Sequence, residues 1–177
     1  MPVLFSAFVV VSLVTSAEPQ VGTVTRETVP GVTNFARVET TVACGGTIKP
    51  EAVAELKQRG FKSVFDLQLP DERGADVTAE SNAAKTAGMT FVHVPFTPSS
   101  PDPSSVDKFL KAISDPANEP AFIHCAGGNR AAGFWFIKRV LVDRWDTDRA
   151  MKEAEALGLS SAPMKQFVLD YVGSRKR

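Results

Sequence analysis

The stretch Ala121-Phe122-Ile123-His124-Cys125-Ala126-Gly127-Gly128-Asn129-Arg130 decides how the rest of the chain is read. Its three apolar residues lead into a buried strand, with His124 and Cys125 at the strand's end. A glycine-rich turn closes on Arg130, and Ala131-Ala132-Gly133-Phe134-Trp135-Phe136-Ile137 continues as a helix. A strand, turn and helix in that order aim turn N–H groups and the positive helix end at one point, a cradle for an anion. The same field favours negative charge on a sulfur placed there, which makes Cys125 a candidate nucleophile. Arg130 adds a planar fork that can hold two oxyanion oxygens. Gly127 and Gly128 suit a turn that needs φ > 0 and close approach to a ligand. A tight turn around an inert buried cysteine would use some of these residues too. The coincidence of Cys, two Gly and Arg at one strand–helix junction favours the anion site.

This unit resembles the signature loop of cysteine-dependent phosphatases of the tyrosine and dual-specificity group, in which His-Cys is followed by five residues and an Arg. It departs from that pattern in two ways. Only four residues (Ala126, Gly127, Gly128, Asn129) separate Cys125 from Arg130, and Ala131 stands where a hydroxyl usually helps the thiolate leave. A four-residue spacing is also that of rhodanese-type sulfurtransferases, which carry a persulfide on the cysteine. The flanking segments argue for the phosphatases. Residues 50–67 read as helix, Gly stop and strand, and Ala87-Gly88-Met89-Thr90-Phe91-Val92-His93-Val94-Pro95-Phe96 reads as helix end and strand. That order is similar to the bacterial beta-lactamase hydrolase-like protein phosphatases, relatives of the dual-specificity group that share the four-residue loop. A rhodanese's Gly-His-Ile-Pro-Gly-Ala stretch is missing here.

The resemblance, over roughly residues 31–172, implies a single-domain α/β layered fold with a mostly parallel central sheet flanked by helices. It implies a hydrolase of phosphomonoesters, on protein or small molecules, that needs no cofactor. Cys125 would attack phosphorus to give a thiophosphoryl intermediate, and Arg130 with the loop Ala126, Gly127, Gly128 and Asn129 would hold the phosphate. His124 would hydrogen-bond the backbone and steady the thiolate, and Asn129 would orient the loop or cap the helix. The general acid would follow the strand ending at Phe96. Thr97 and Pro98 stand there, so Asp102 is the candidate, with Asp71 and Glu72 as fallbacks. A rhodanese-like sulfurtransferase and a weakly active anion-binding module remain as alternatives.

Composition narrows the classes further. The chain has 177 residues, with 20 Lys plus Arg balancing 20 Asp plus Glu, so no electrostatic footprint for nucleic acid is expected. Two His and two Cys lack paired spacing, so no metal site is expected either. Residues 1–17 read as a secretory signal peptide: residues 2–14 are almost wholly apolar and Thr15-Ser16-Ala17 offers small residues for cleavage, although no Lys or Arg precedes them. The apolar run falls short of the roughly 20 residues a spanning helix needs, so a periplasmic or secreted protein without stable membrane insertion is expected. Residues 18–30 read as a loose leader, 31–173 as the domain and 174–177 as a solvated basic tail. In an oxidising compartment Cys44 could pair with Cys125; otherwise it is a small buried residue.

Periodicity places the remaining elements. Phe35 to Ala43 alternates as one or two short strands, Pro50 suits a first helical position, and Ser63 to Leu69 is a short, near-continuous apolar run of the kind buried on both sheet faces. Val77 to Thr86 is an Ala-rich helix stopped by Gly88. Ser104 is the expected cap of a helix striped by Val106, Phe109, Leu110 and Ile113. After the central apolar helix, Asp146 caps one helix that Gly158 stops, and Pro163 to Val172 forms the last.

Overall fold

The structure is a computed structural model that describes residues 22–175. Six strands form one sheet in the order β1-β2-β3-β6-β4-β5. They are β1 (Val24–Arg26), β2 (Ala36–Val38), β3 (Val42–Gly45), β4 (Ser63–Asp66), β5 (Thr90–His93) and β6 (Ala121–His124). The helices are α1 (Ala52–Gln58), α2 (Val77–Thr86), α3 (Pro103–Ile113), α4 (Asn129–Leu141), α5 (Thr147–Leu157) and α6 (Ala162–Arg175). β3, β6, β4 and β5 run parallel, while β1 and β2 add an antiparallel margin. The expected layered α/β fold with a mostly parallel sheet is what forms.

The period of two in β6 divides the interior. Ala121 and Ile123 face a core built with α3, α4, α5 and α6, whereas Phe122 faces a second core built with α1 and α2. A strand buried on both faces is mostly apolar, which explains Val64-Phe65 in β4 and Ala121-Phe122-Ile123 in β6, although Asp66 and His124 end these strands buried. α4 lies in the larger core with Ala131, Ala132, Phe134, Trp135, Phe136 and Ile137 all buried. Each such large side chain contributes about 1.5–3 kcal/mol by leaving water. The cradle therefore hangs between a strand buried along its whole length and a largely buried helix.

Several local expectations shift. The part of the leader that is described is not loose: β1 pairs with β2, and Val29 is buried and bridges to Val32. Val24 and Thr25 are β-branched, and they supply an edge strand that the neighbouring Pro and Gly residues obscure. Asp102 rather than Ser104 caps α3, accepting the Ser104 N–H at 2.9 Å with Pro103 in the first turn. α1 begins two residues beyond Pro50. Asp146 and Gly158 bound α5 as expected, and α2 runs over Val77–Thr86. The proposed signal peptide lies outside the described residues, as do the last two residues of the tail; Arg175 ends α6. Among the described residues no helix is long and apolar enough to cross a membrane.

Candidate active site

β6 delivers Cys125 to the sheet's C-terminal edge, where its N–H donates to the Gly45 carbonyl at 3.3 Å. The segments after β3 and before β2 then support the loop. Thr47 donates to the Ala126 carbonyl from its N–H (3.1 Å) and its hydroxyl (3.3 Å), and the Asn34 amide donates to the Gly127 carbonyl at 3.3 Å. The approach is so close that a Cβ on Gly46 would meet the Thr33 hydroxyl, and the Ala126 carbonyl at 2.9 Å. Gly128 turns the chain with φ +100°, and its N–H donates to Cys125 Sγ at 3.1 Å. Gly127 does not share the positive φ expected of both glycines. No side chain caps α4, and uncapped first-turn N–H groups are the donors an anion would use.

Arg130 is held before any ligand arrives. Its Nη1 donates to the carbonyls of Leu67 (3.0 Å) and Phe96 (2.7 Å), beyond the ends of β4 and β5. Glu72 receives both arms, Oε1 from Nη1 at 2.5 Å and Oε2 from Nη2 at 2.6 Å, while the Leu69 N–H donates to Oε1 at 2.9 Å. Desolvation would raise the Glu72 carboxyl, but the hydrogen bonds from Arg130 and Leu69 outweigh it and hold the group below the ordinary carboxylate value. Burial would likewise lower Arg130, yet Glu72 and the neighbouring Cys125 raise it. The cation is thus fixed beside the sulfur, as a preorganised oxyanion clamp requires.

Other expected residues take different roles. The His124 imidazole makes no hydrogen bond to the backbone: it is fully buried, stacks on Phe122 at 5.7 Å between centroids, and faces carboxylates on the α2 side of the sheet. Asn129 neither orients the loop nor caps its own helix. Its Oδ1 accepts the N–H groups of Ser160 (2.8 Å) and Ser161 (2.7 Å), pinning the α5–α6 connection to the mouth of α4. Asp102 forms no hydrogen bond to the cradle among the described residues. Both its oxygens bind Ser104, whose hydroxyl and N–H hold the carboxyl below its usual value. A general acid needs the opposite tuning. Asp71 is exposed, and Glu72, considered as a fallback acid, is Arg130's partner instead. Ala131 is fully buried beneath the loop.

Cys44 lies in the same core as Cys125 as a free thiol, and burial, then Cys125 and Glu153, push its pKa up. Sequence reasoning missed the supports from Asn34, Thr47 and Gly46, and the clamp by Glu72. The available signals were Gly45-Gly46 after a strand and a carboxylate loop after β4, but neither reveals its partner.

A family model described as DSP-PTPase phosphatase fused to NAD+ kinase matches residues 4–169. Beta-lactamase hydrolase-like proteins are similar too: that of Xylella fastidiosa is 28% identical over 121 residues, 66% of this chain and 26% of the relative. That of Agrobacterium fabrum is 29% identical over 91 residues, covering 50% and 21%. The chain thus spans about a quarter of the length of these curated relatives. Among solved structures, TpbA of P. aeruginosa aligns with TM-score 0.64 at 20% identity, over 84% of this chain and 91% of that one. The core catalytic domain of the PP-IP phosphatase SIW14 from S. cerevisiae aligns with TM-score 0.63 at 23% identity, over 80% and 86%. The shared fold, together with a match running through cradle, sheet and helices alike, means that the chain belongs to the DSP-PTPase-like cysteine phosphatase family.

Proposed function

We propose that the domain hydrolyses phosphomonoesters through a thiophosphoryl-cysteine intermediate. The observation that carries this is Cys125 Sγ at the uncapped end of α4, 3.1 Å from the Gly128 N–H, beside an Arg130 held by Glu72 and two carbonyls. Cys125 attacks phosphorus, forming the S–P bond as the P–O bond to the leaving group breaks. Arg130 and the loop N–H groups take up the charge on the non-bridging oxygens. Water then attacks phosphorus, breaks the S–P bond and returns the thiolate. TpbA has been crystallised with phosphotyrosine, and an aryl phosphate is therefore a reasonable first substrate.

The test is turnover of 4-nitrophenyl phosphate by wild type and Cys125→Ser. Loss in the variant, with a phosphorylated cysteine trapped in wild type, supports the mechanism; activity surviving in Cys125→Ser removes this nucleophile. The four-residue loop keeps a sulfurtransferase as the second reading, so thiosulfate with cyanide is run in parallel. Thiocyanate without phosphate release would favour it, and tight phosphate binding with neither reaction would favour a binding module.

We also propose export, supported by the apolar run of residues 2–14 and the small residues before Glu18. A mature chain beginning near Glu18 in the periplasm or medium is expected. An intact N-terminus on a cytosolic pool would overturn it.

A further inference from the structure

A closed cluster of ionisable groups lies on the opposite side of the sheet from α4. Asp66 ends β4 and stands in register with His124, the last residue of β6, and Glu80 reaches both from α2. All three residues are 0% exposed. His124 Nε2 is 3.1 Å from Glu80 Oε2 and 3.8 Å from Asp66 Oδ1, and one donor atom from each residue lies within 4.8 Å of the others. Yet both ring nitrogens of His124, both oxygens of Glu80 and Oδ2 of Asp66 lack a hydrogen-bond partner. Asp66 Oδ1 accepts the Gln68 N–H at 2.8 Å. His93 Nε2 sits 3.9 Å from Asp66 Oδ2 and is itself engaged with the Gln68 carbonyl at 2.9 Å. Among the described residues, no Lys or Arg forms an ion pair with either carboxylate.

Two carboxylates and an imidazole are sealed from water here with polar atoms left unpartnered, a state that protein interiors avoid. Hydrogen bonding does not resolve it here, because the free lone pairs converge on one another. We propose that Asp66, Glu80 and His124 ligate one divalent first-row metal ion of the zinc or manganese class. The donor set, one nitrogen and two carboxylates, suits such ions and neutralises a charge of two. Bonds of about 2.0–2.2 Å set neighbouring donors roughly 3–3.5 Å apart, close to the two His124 separations. The site is sealed, so it is structural and touches no substrate. It would anchor His124, one bond before Cys125, and Asp66, one bond before the Leu67 carbonyl that holds Arg130. The metal site stands or falls independently of the phosphatase reading. The spacing of the three ligands along the chain hides it from sequence inspection.

The test is elemental analysis of the full chain, purified by ion exchange without chelator. About one equivalent of zinc or manganese per chain is expected, resistant to chelator while the protein is folded and lost on denaturation with chelator. Refolding with Zn²⁺ or Mn²⁺ should restore the equivalent and raise Tm by several degrees over refolding in chelator. Glu80→Gln should hold less than about a tenth of an equivalent. X-ray absorption on wild type, which needs no variant to fold, should show a nitrogen and oxygen shell. Sulfur in that shell would place the ion at a cysteine and overturn the assignment. So would a wild-type chain that carries no metal and gains no Tm after refolding with either ion, or a Glu80→Gln chain that keeps the full equivalent.

Discussion

Glu72 grips both arms of Arg130, Oε1 to Nη1 at 2.5 Å and Oε2 to Nη2 at 2.6 Å, from a loop 58 residues earlier in the chain. A flexible side chain next to the cradle thereby becomes a rigid one. The contact is a positioning interaction, because Glu72 acts on phosphate only through the guanidinium.

Glu72→Ala should therefore lower kcat with 4-nitrophenyl phosphate by about 100-fold, the cost of a small misplacement of a catalytic group. Glu72→Gln, which can still accept one hydrogen bond, should lose less. Equal activity in all three proteins would show that the clamp is unimportant. Because the folded Glu72 carboxyl is held below its ordinary value, its contribution to stability is present above the ordinary carboxylate value. That contribution is lost as pH falls through the depressed folded value. Chemical denaturation of wild type and Glu72→Gln should give curves that differ near neutrality and converge in acid.

Asp102 distinguishes cap from catalyst. Asn also caps helices well, so Asp102→Asn should keep α3 intact and leave turnover within about threefold of wild type. Asp102→Ala should lower Tm. A collapse of kcat in Asp102→Asn, with its alkaline limb removed from the pH profile, would restore Asp102 as the general acid.

Tyr171, the chain's only tyrosine, offers a spectroscopic check on the α3–α6 contact. Desolvation, then its 2.8 Å hydrogen bond to Asp107, push its pKa up to about 12. Phenolate absorbance should therefore rise with a midpoint near that value in the folded protein and near 10 in denaturant. Since the folded value is the higher one, the contact's stabilisation is full below the unfolded value and disappears as pH climbs through the folded one. Asp107→Asn should bring the folded midpoint down.

Two glycines set the cradle's shape for different reasons. Gly128→Ala forces a side chain into the left-handed region at φ +100° and should cost about 1–2 kcal/mol. Gly46→Ala drives a Cβ against the Ala126 carbonyl and should cost about 1–3 kcal/mol through overpacking. Both should weaken phosphate protection of Cys125 against alkylation. Gly60→Ala carries the same kind of φ strain, at +91°, with nothing within 4 Å of its Cβ, and should destabilise without touching that protection.

Features built from residues adjacent in the chain are legible in the sequence itself. The strand, cysteine, turn, arginine and helix of 121–137 form a local unit, so the sequence itself shows the cradle, and the family resemblance that this unit carries implies the layered fold around it. The caps at Asp146 and Gly158 are local in the same sense. What only the tertiary structure decided joins distant segments. Glu72 meets Arg130, Asn129 meets Ser160 and Ser161, and Asp66 and Glu80 meet His124 because sheet register and helix packing bring them together. A carboxylate on an exposed loop and one sealed behind a strand have the same letter in the sequence. Burial and the partner it meets give each a different chemistry, and both are properties of the folded chain.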